Sequence, residues 1–348
     1  LLKEKKEKSL IFYAKYAYIN YIWFMLFIHQ YPGWTNFRYD LLKTLSALAE
    51  VRAFQGKLSG KLLFAFGEEK SKNVRLRDWQ ALLAIDGVHG DIRSALLRTF
   101  ENYNSPLDIK ALCRLHASLG YNGYLRENSS SGISFLTKSG EQAFFSGVSA
   151  ERVETELSLL LEFFNNAELD PVLVAGIIHF WFLTIRPFQS GNGCMARILC
   201  DLALSRSENS AFRFYSVFEQ ILKNKEEYFL ILERTWVGNG NITKWLLWFF
   251  SQIQSALIFA EKEWEIPLAE TLQRLRLGNV SLLPREMSLL EFLRKNGGEI
   301  SSSKWANQEN ISHDSALRDF KSMIEKGILE KNPKTKGRNT KYRVKNIL

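Results

Sequence analysis

The fold is decided by a stretch in the second half of the chain, which reads Ile185-Arg186-Pro187-Phe188-Gln189-Ser190-Gly191-Asn192-Gly193-Cys194-Met195-Ala196-Arg197. Its proline-anchored loop closes in Gly191-Asn192-Gly193 and runs straight into residues with the apolar spacing of a helix. Glycines allow a backbone to approach a ligand closely, and the unpaired N–H groups at a helix N-terminus carry the positive end of the helix dipole. The stretch therefore predicts an anion site.

This stretch resembles the signature loop of the Fic (Fido) family of protein adenylyltransferases, His-Pro-Phe-x-Asp/Glu-Gly-Asn-Gly-Arg-x-x-Arg. The matching residues are Pro187, Phe188, Gly191, Asn192, Gly193 and Arg197. The resemblance implies a mainly α fold, in which the Fic helical bundle carries a β-hairpin flap. It also implies an activity that transfers AMP from ATP to a hydroxyl of a target protein. In the family the His is the general base, the acidic residue holds Mg²⁺, and the glycine backbone and both Arg bind the phosphates.

Three of the four reactive side chains of that motif are replaced in this chain. Arg186 stands at the His position, and a guanidinium has no acceptor lone pair and stays protonated, so it cannot be a general base. Ser190 stands at the acidic position, where it offers Mg²⁺ a neutral ligand without the neutralising charge. Cys194 stands at the first Arg and removes a phosphate contact. The anion site is expected to outlast the proton transfer.

The predicted function is that of a degenerate adenylyltransferase, a pseudo-enzyme that still binds ATP, largely without Mg²⁺. By resemblance the nucleotide-binding residues are Gly191, Asn192, Gly193, Arg197 and Tyr228. Two alternatives stay open. One is a working nucleotidyltransferase in which another group, or the phosphate itself, takes the proton. The other is a DNA- or protein-binding regulator that acts through the C-terminal domain.

The composition favours a globular protein of more than one domain. With 348 residues, 46% hydrophobic and 24% charged, the chain is long enough for a large core. The net charge of +9 is compatible with phosphate-rich partners but is too diffuse to identify a nucleic-acid-binding protein. Three cysteines without paired spacing indicate a reducing, cytoplasmic compartment and no zinc site. We also expect a homo-oligomer.

Residues 1–30 are treated as a separate segment, because a charge run is followed by an apolar, aromatic-rich stretch at 11–28. The stretch is either a marginal membrane anchor or upstream sequence read in frame ahead of a true start at Met25. The second interpretation rests on a resemblance to a Trp-x-x-Phe-x-Tyr/Trp-Asp motif close to the start of such Fic proteins. The matching residues are Trp34, Phe37, Tyr39 and Asp40. A start at Met25 implies no membrane segment.

Residues 31–110 are predicted to form an N-terminal helical module. Helical periodicity covers Tyr39 to Ala65 and again Trp79 to Phe100. We interpret the first of these helices as scaffold, with close helix packing at Gly56 and Gly60 as the alternative. The second helix resembles the family's inhibitory motif, Ser/Thr-x-x-x-Glu-Gly/Asn, with Leu82 at its first position and Asp86 at that of the Glu. The resemblance implies that Asp86 pairs with Arg197 and keeps the γ-phosphate from seating. The alternative is a solvated Asp before a glycine that ends the helix.

The Fic core is predicted to span residues 111–265. Two apolar segments, 133–136 and 142–145, flank a Ser-Gly turn and predict a β-hairpin. It resembles the family's flap, on which a target protein docks by β-augmentation; an ordinary surface hairpin is the alternative. Further helices are predicted at 148–165, 172–184 and 243–264. We interpret His116 and His179 as structural residues, with His179 as a replacement base the alternative.

Two sets of residues remain. Tyr228 and Phe229 resemble the aromatic pair that lines the family's base pocket, although core packing also explains aromatics at this spacing. Residues 283–348 are predicted to hold three helices and two basic strands, which resemble a winged helix-turn-helix. Helix 312–326 takes the recognition position, and its exposed residues are expected to be His313, Asp314, Ser315, Arg318 and Asp319. Contact with DNA and contact with protein both stay open.

Overall fold

The computed structural model describes residues 27–66, 69–87, 93–128, 132–136, 142–277, 282–295, 299–335, 337 and 340–345. The predictions on Met25 and on most of the apolar run 11–28 lie outside these residues. None of the helices in the described ranges is both long and apolar enough to cross a membrane. The chain divides into two compact units, with the boundary between Glu265 and Ile266.

The first unit is almost entirely helical, which confirms the predicted mainly α fold. Its helices are α1 (Leu41–Phe66), α2 (Glu69–Ala84), α3 (Arg93–Glu101), α4 (Ile109–Ser118), α5 (Val153–Asn166), α6 (Pro171–Ile185), α7 (Asn192–Glu208), α8 (Val217–Lys223), α9 (Lys225–Trp236) and α10 (Thr243–Leu277). Short 3₁₀ turns occupy Ile28–Gln30 and Ala150–Arg152. The boundary between the units falls within α10, next to Pro267.

Helices α6 and α7, which follow each other in the sequence, form the centre of this unit. Helix α6 is buried along its whole length from Val172 onward, as its apolar sequence predicts. Asp170 caps it by accepting a hydrogen bond from the Val172 N–H at 2.9 Å, and Pro171 suits the first helical position. The missing side chain of Gly176 lets α10 approach, and the Trp245 indole donates to the Gly176 carbonyl at 2.8 Å.

The prediction of one helix from Trp79 to Phe100 is wrong. Helix α2 ends at Ala84, and the N–H groups of Asp86 and Gly87 bond to carbonyls three residues back. Gly87 then takes a positive φ of 70°, which ends the helix and which a residue with a side chain adopts only at a cost. The predicted helix 39–65 is confirmed as α1. Its Gly56 and Gly60 face open space, which agrees with a scaffold helix and not with the alternative of close packing at these glycines.

The predicted hairpin is confirmed. Strands β1 (Gly132–Leu136) and β2 (Gln142–Ser146) pair antiparallel, from Gly132 opposite Ser146 to Leu136 opposite Gln142. The predicted Ser-Gly turn lies outside the described residues. At the foot of the hairpin, Phe145 is buried and stacks on Trp236, with 3.9 Å between ring centroids. This stack fixes one end of the hairpin to α9.

The second unit holds three helices and a small sheet. Its elements are α11 (Pro284–Lys295), β3 (Glu299–Ser301), α12 (Ser302–Glu309), α13 (His313–Glu325), β4 (Leu329–Lys331) and β5 (Lys341–Val344). The strands are antiparallel in the order β3-β5-β4, so β3, which the sequence did not predict, completes the sheet by pairing with β5. This order of elements is the one that a winged helix requires, and the winged helix itself stays a prediction.

The expected exposure of Asp319 on α13 is wrong. The carboxylate is 4% exposed and accepts two hydrogen bonds from Arg285, at 2.7 and 2.8 Å, and one from the Trp305 indole at 3.3 Å. Asp319 lies on the same face of α13 as Ala316 and Phe320, which are core residues. A residue that was counted as surface charge is therefore an internal acceptor.

Candidate functional site

The loop between α6 and α7 is held closed by the side chain of Asn192. Its Oδ1 accepts from the Phe188 N–H at 2.9 Å, and its Nδ2 donates to the Phe188 carbonyl at 2.7 Å. Arg186 begins the loop in the left-handed region, with φ 52°, and its N–H still bonds to Phe182 at the end of α6. Because the side-chain amide of Asn192 is hydrogen-bonded within the loop, its backbone is the part that remains to bind a ligand.

A second loop restraint is Arg126, which the sequence did not single out. Its guanidinium is buried and donates to the carbonyls of Arg186 at 2.7 Å, Asn128 at 2.7 Å, Ile185 at 3.2 Å and Val148. Burial lowers the pKa of Arg126. One side chain thus joins the start of the signature loop to the segments that flank the hairpin.

His116 supports the loop from the other side, which agrees with its interpretation as a structural residue. The ring is buried, lies between Tyr121 and Phe188, and has its Nε2 3.1 Å from the Ser190 carbonyl. The Gly123 N–H donates to Nδ1, so the ring proton belongs on Nε2. Burial lowers the pKa of His116, which keeps this neutral form.

Both glycines at the start of α7 are covered by side chains from elsewhere. Gly191 has φ 73°, and a Cβ there would lie 2.7 Å from Cζ of Tyr121. A Cβ on Gly193 would lie 2.9 Å from Oδ1 of Asp86 and closer still to Oδ2. A carboxylate therefore lies against the first turn of α7, close to the predicted anion site. We call the site formed by Gly191, Asn192, Gly193 and Arg197 the phosphate cradle.

Asp86 also forms an ion pair with Arg197, and does not stand alone in solvent. Its Oδ2 accepts from Arg197 Nη2 at 2.5 Å, while Arg197 Nε donates to the Leu82 carbonyl at 2.9 Å. Arg197 is buried, whereas the Asp86 side chain is 30% exposed. Burial works against the charge of Arg197, but Asp86 outweighs it and the pKa of Arg197 is raised. The second signature Arg is thus charged and already engaged.

The replaced residues of the motif do not supply a base or a metal site. Arg186 is 6% exposed; burial and the nearby Arg126 lower its pKa to about 10, so it stays cationic at neutral pH. Cys194 is buried, and burial raises the pKa of its thiol to about 12. Ser190 is exposed. Among the residues that the structure describes, no cluster of three His, Cys, Asp or Glu side chains is arranged to hold a metal ion.

Tyr228 does not fit the role of a stacking surface for a base. Its ring is 1% exposed and lies among Phe229, Trp245 and Trp248. Its hydroxyl lies 2.8 Å from Nε2 of His179, and burial raises the pKa of this hydroxyl while the nearby charge of Arg197 opposes the rise. Tyr228 therefore lies in the core and does not present its ring to a ligand. His179 is fully buried, and burial holds its pKa well below the usual value, as expected of a core residue.

Comparisons with known proteins agree with this geometry. Residues 106–204 match the Fic/DOC family model. A Fic family protein from Desulfovibrio desulfuricans G20 is similar over 88% of this chain and 96% of its own, at 20% identity and a TM-score of 0.52. Fic-1 from C. elegans is similar over 64% of this chain and 72% of its own, at 18% identity and a TM-score of 0.44. No curated protein matches the chain.

The signature loop, the helices around it and the family match define a helical protein built on a Fic domain. Residues 106–204 form a Fic domain. This membership supports a function of the nucleotide-transfer type in general.

Proposed function

We propose that the protein binds a nucleotide through the phosphate cradle and has lost efficient AMP transfer. The observation that carries the proposal is the carboxylate of Asp86, which sits over Gly193 and pairs with Arg197. A carboxylate at this position is an internal anion in the place of a phosphate, and so it supports the cradle as an anion site. In this proposal Asp86 is the inhibitory residue, and a phosphate of ATP must displace it.

The loss of chemistry rests on the residues around the cradle. When bound, ATP would supply the phosphates and the transferable AMP; the chain supplies backbone N–H groups at Asn192 and Gly193 and the charge of Arg197. A base is missing, because Arg186 is protonated and has no lone pair to accept the proton of a target hydroxyl. Ser190 brings no charge for Mg²⁺, so we expect binding that depends little on magnesium.

A transfer assay tests the loss of chemistry. Two proteins are compared, both carrying Asp86→Ala so that the cradle is open in each: one otherwise unchanged, and one with Arg186→His, Ser190→Asp and Cys194→Arg. Because general acid–base catalysis contributes about 10²–10⁴-fold, the restored protein should transfer label from ATP at least about 100-fold faster. Comparable transfer by the two proteins would refute the proposed loss and favour the working nucleotidyltransferase.

The flap is proposed as the contact for a target or partner protein. Strands β1 and β2 pair only with each other among the described residues, so each retains an outer edge to which a peptide strand could add. Arg186 extends from the signature loop toward this hairpin, and its Nη2 lies 3.5 Å from the Gly132 carbonyl. Crosslinking with and without the hairpin edge blocked by a proline substitution tests the contact.

A second candidate function is binding of DNA by the second unit. It is favoured by the burial of Asp319, which removes one negative charge from the surface of α13 and leaves Arg318 and Lys321 exposed. Lys341 and Lys345 are exposed on and after β5. Gel shifts with duplex DNA at increasing salt test this function: a specific site survives moderate ionic strength, whereas binding that disappears indicates only a basic surface.

A further inference from the structure

Four charged side chains are buried together at the junction of α2, α7 and the segment before α8. Arg75 and Asp78 lie on α2, Asp201 on α7 and Arg213 before α8, and each is at most 2% exposed. Arg75 contacts Asp201 at 2.6 Å, and Arg213 contacts Asp78 at 2.5 Å and also Asp201. The two positive and two negative charges balance. We call this group the buried charge cluster.

Neutral groups complete the hydrogen bonding of the two carboxylates. The Trp79 indole donates to Asp201 at 3.2 Å. The Ser216 hydroxyl and the Phe218 N–H, at the start of α8, donate to Asp78 at 2.7 and 2.8 Å. A buried carboxylate is tolerated only with such partners.

A cluster of this kind specifies geometry more than it adds stability. Buried ion pairs often contribute no more than apolar residues of the same size, but a buried charge that loses its partner is strongly unfavourable. A shift of α2 along α7 would separate Arg75 from Asp201, and Asp78 from Arg213. The cluster therefore allows one register of α2 against its neighbours.

That register determines what surrounds Arg197. Arg197 lies one turn before Asp201 on α7, so the cluster and the cradle are adjacent along one helix. Helix α2 leads from Asp78 to the Leu82 carbonyl and Asp86, both of which accept hydrogen bonds from Arg197. Through Phe218, Asp78 also fixes the start of α8, which is followed by α9 and Tyr228. Leu82 and Asp86, the two hydrogen-bond partners of Arg197, thus follow Asp78 of the cluster on α2 and in the turn after it.

We propose that the buried charge cluster positions Asp86, and so keeps the phosphate cradle closed. With the cluster intact, α2 holds the Asp86 carboxylate on Arg197 and Gly193. When one charge of the cluster is removed, α2 loses its register and the carboxylate withdraws, which admits a nucleotide phosphate. Asp78, Arg75, Asp201 and Arg213 are thus positioning residues, none of which contacts the ligand. The proposal rests on the nucleotide binding proposed above.

A double-mutant cycle tests it by calorimetric titration of ATP into the full chain. The variants are Asp78→Asn, Asp86→Ala and the two combined. The matched control is Arg77→Gln, which removes an exposed ion pair between α2 and Glu263 without touching the cluster. Asp78→Asn should raise the ATP affinity at least about threefold, and Arg77→Gln should leave it unchanged. In the Asp86→Ala background Asp78→Asn should add nothing, because the carboxylate whose withdrawal it causes is already gone.

The outcomes separate the two proposals. If Asp86→Ala binds ATP more tightly but Asp78→Asn only melts earlier, the cluster is merely structural and the inference is overturned. A further gain in the double variant also overturns it, since the cluster would then act on something other than Asp86. No gain from Asp86→Ala refutes the closed cradle itself. If Asp78→Asn fails to fold by circular dichroism, Asp201→Asn replaces it, because it also removes one charge of the cluster, with the same expected direction and the same criteria.

Discussion

Replacing Asp86 by Ala should raise the affinity of this protein for ATP. In the structure the Asp86 carboxylate lies over Gly193 and 2.5 Å from Arg197, so a phosphate and this carboxylate compete for the same groups. Alanine cannot form the ion pair and has no anion to place over the helix N-terminus. The phosphate then no longer has to break a contact in order to bind.

The size of the gain follows from the strength of that contact. A hydrogen bond to a charged group contributes about 1.5–3 kcal/mol. The Asp86 side chain is 30% exposed, so solvent screens the pair and rehydrates the released carboxylate, which reduces the cost of opening to about 1–2 kcal/mol. At 1.4 kcal/mol for each factor of ten, the expected gain in affinity is about 5- to 30-fold.

Calorimetric titration of ATP, with a chelator present to exclude divalent metal, measures the gain. Asp86→Asn is the informative companion: it keeps the size of the side chain but removes its charge, and should fall between wild type and Asp86→Ala. Equal or weaker binding by Asp86→Ala would show that the carboxylate does not compete with phosphate. The cradle would then have to be assigned some other purpose.

Three further predictions concern stability. Burial, then Arg152 and Arg126, lower the pKa of His29 from 6.5 to about 4, so the unfolded chain takes up a proton first as the pH falls and stability is lost below pH 6.5. At about 1.4 kcal/mol per pH unit, the free energy of unfolding of His29→Phe in urea should rise by about 2 kcal/mol relative to that of the wild type between pH 6.5 and 5. A difference between the two proteins that does not change with pH would contradict this. Gly191→Ala should lose at least about 1–2 kcal/mol in the same assay, because its φ is positive and the Tyr121 ring is in the way; a neutral effect would contradict the geometry. Asp319→Asn should lower the free energy of unfolding by about 1–2 kcal/mol. No loss would mean that the ion pair with the exposed Arg285 does not stabilise the fold.

Much of the fold was predictable because its determinants are local. A few neighbouring residues are enough to predict α6, from its apolar run and its Asp170 cap, and the hairpin, from its two apolar segments. The end of α2 at Gly87 was predicted only as an alternative to a longer helix. The apolar spacing continues past Asp86, while the positive φ of Gly87 depends on where the chain must go next.

The candidate site likewise has a part that local sequence predicts and a part that it does not. The glycines of the cradle and the missing base at Arg186 are visible in the loop, and the Asp86–Arg197 pair was expected from a resemblance. Tyr121 and Arg126, by contrast, act on a loop that lies about 60 to 70 residues further along the chain. Asp201 stands out in the sequence as a carboxylate within an otherwise apolar helical stretch, but the neighbouring residues do not indicate its partners.

By itself the sequence determined the helical class, the glycine loop at the start of α7 and the replacement of the family's His by Arg186, because each depends on the chemistry of adjacent residues. Only the tertiary structure decided that Tyr228 is buried, that Asp319 is internal, and that four charges meet next to the cradle. Arg75 and Asp201 are 126 residues apart in the chain. Contacts at such a separation are set by how whole helices pack, and that packing has no counterpart in a local pattern.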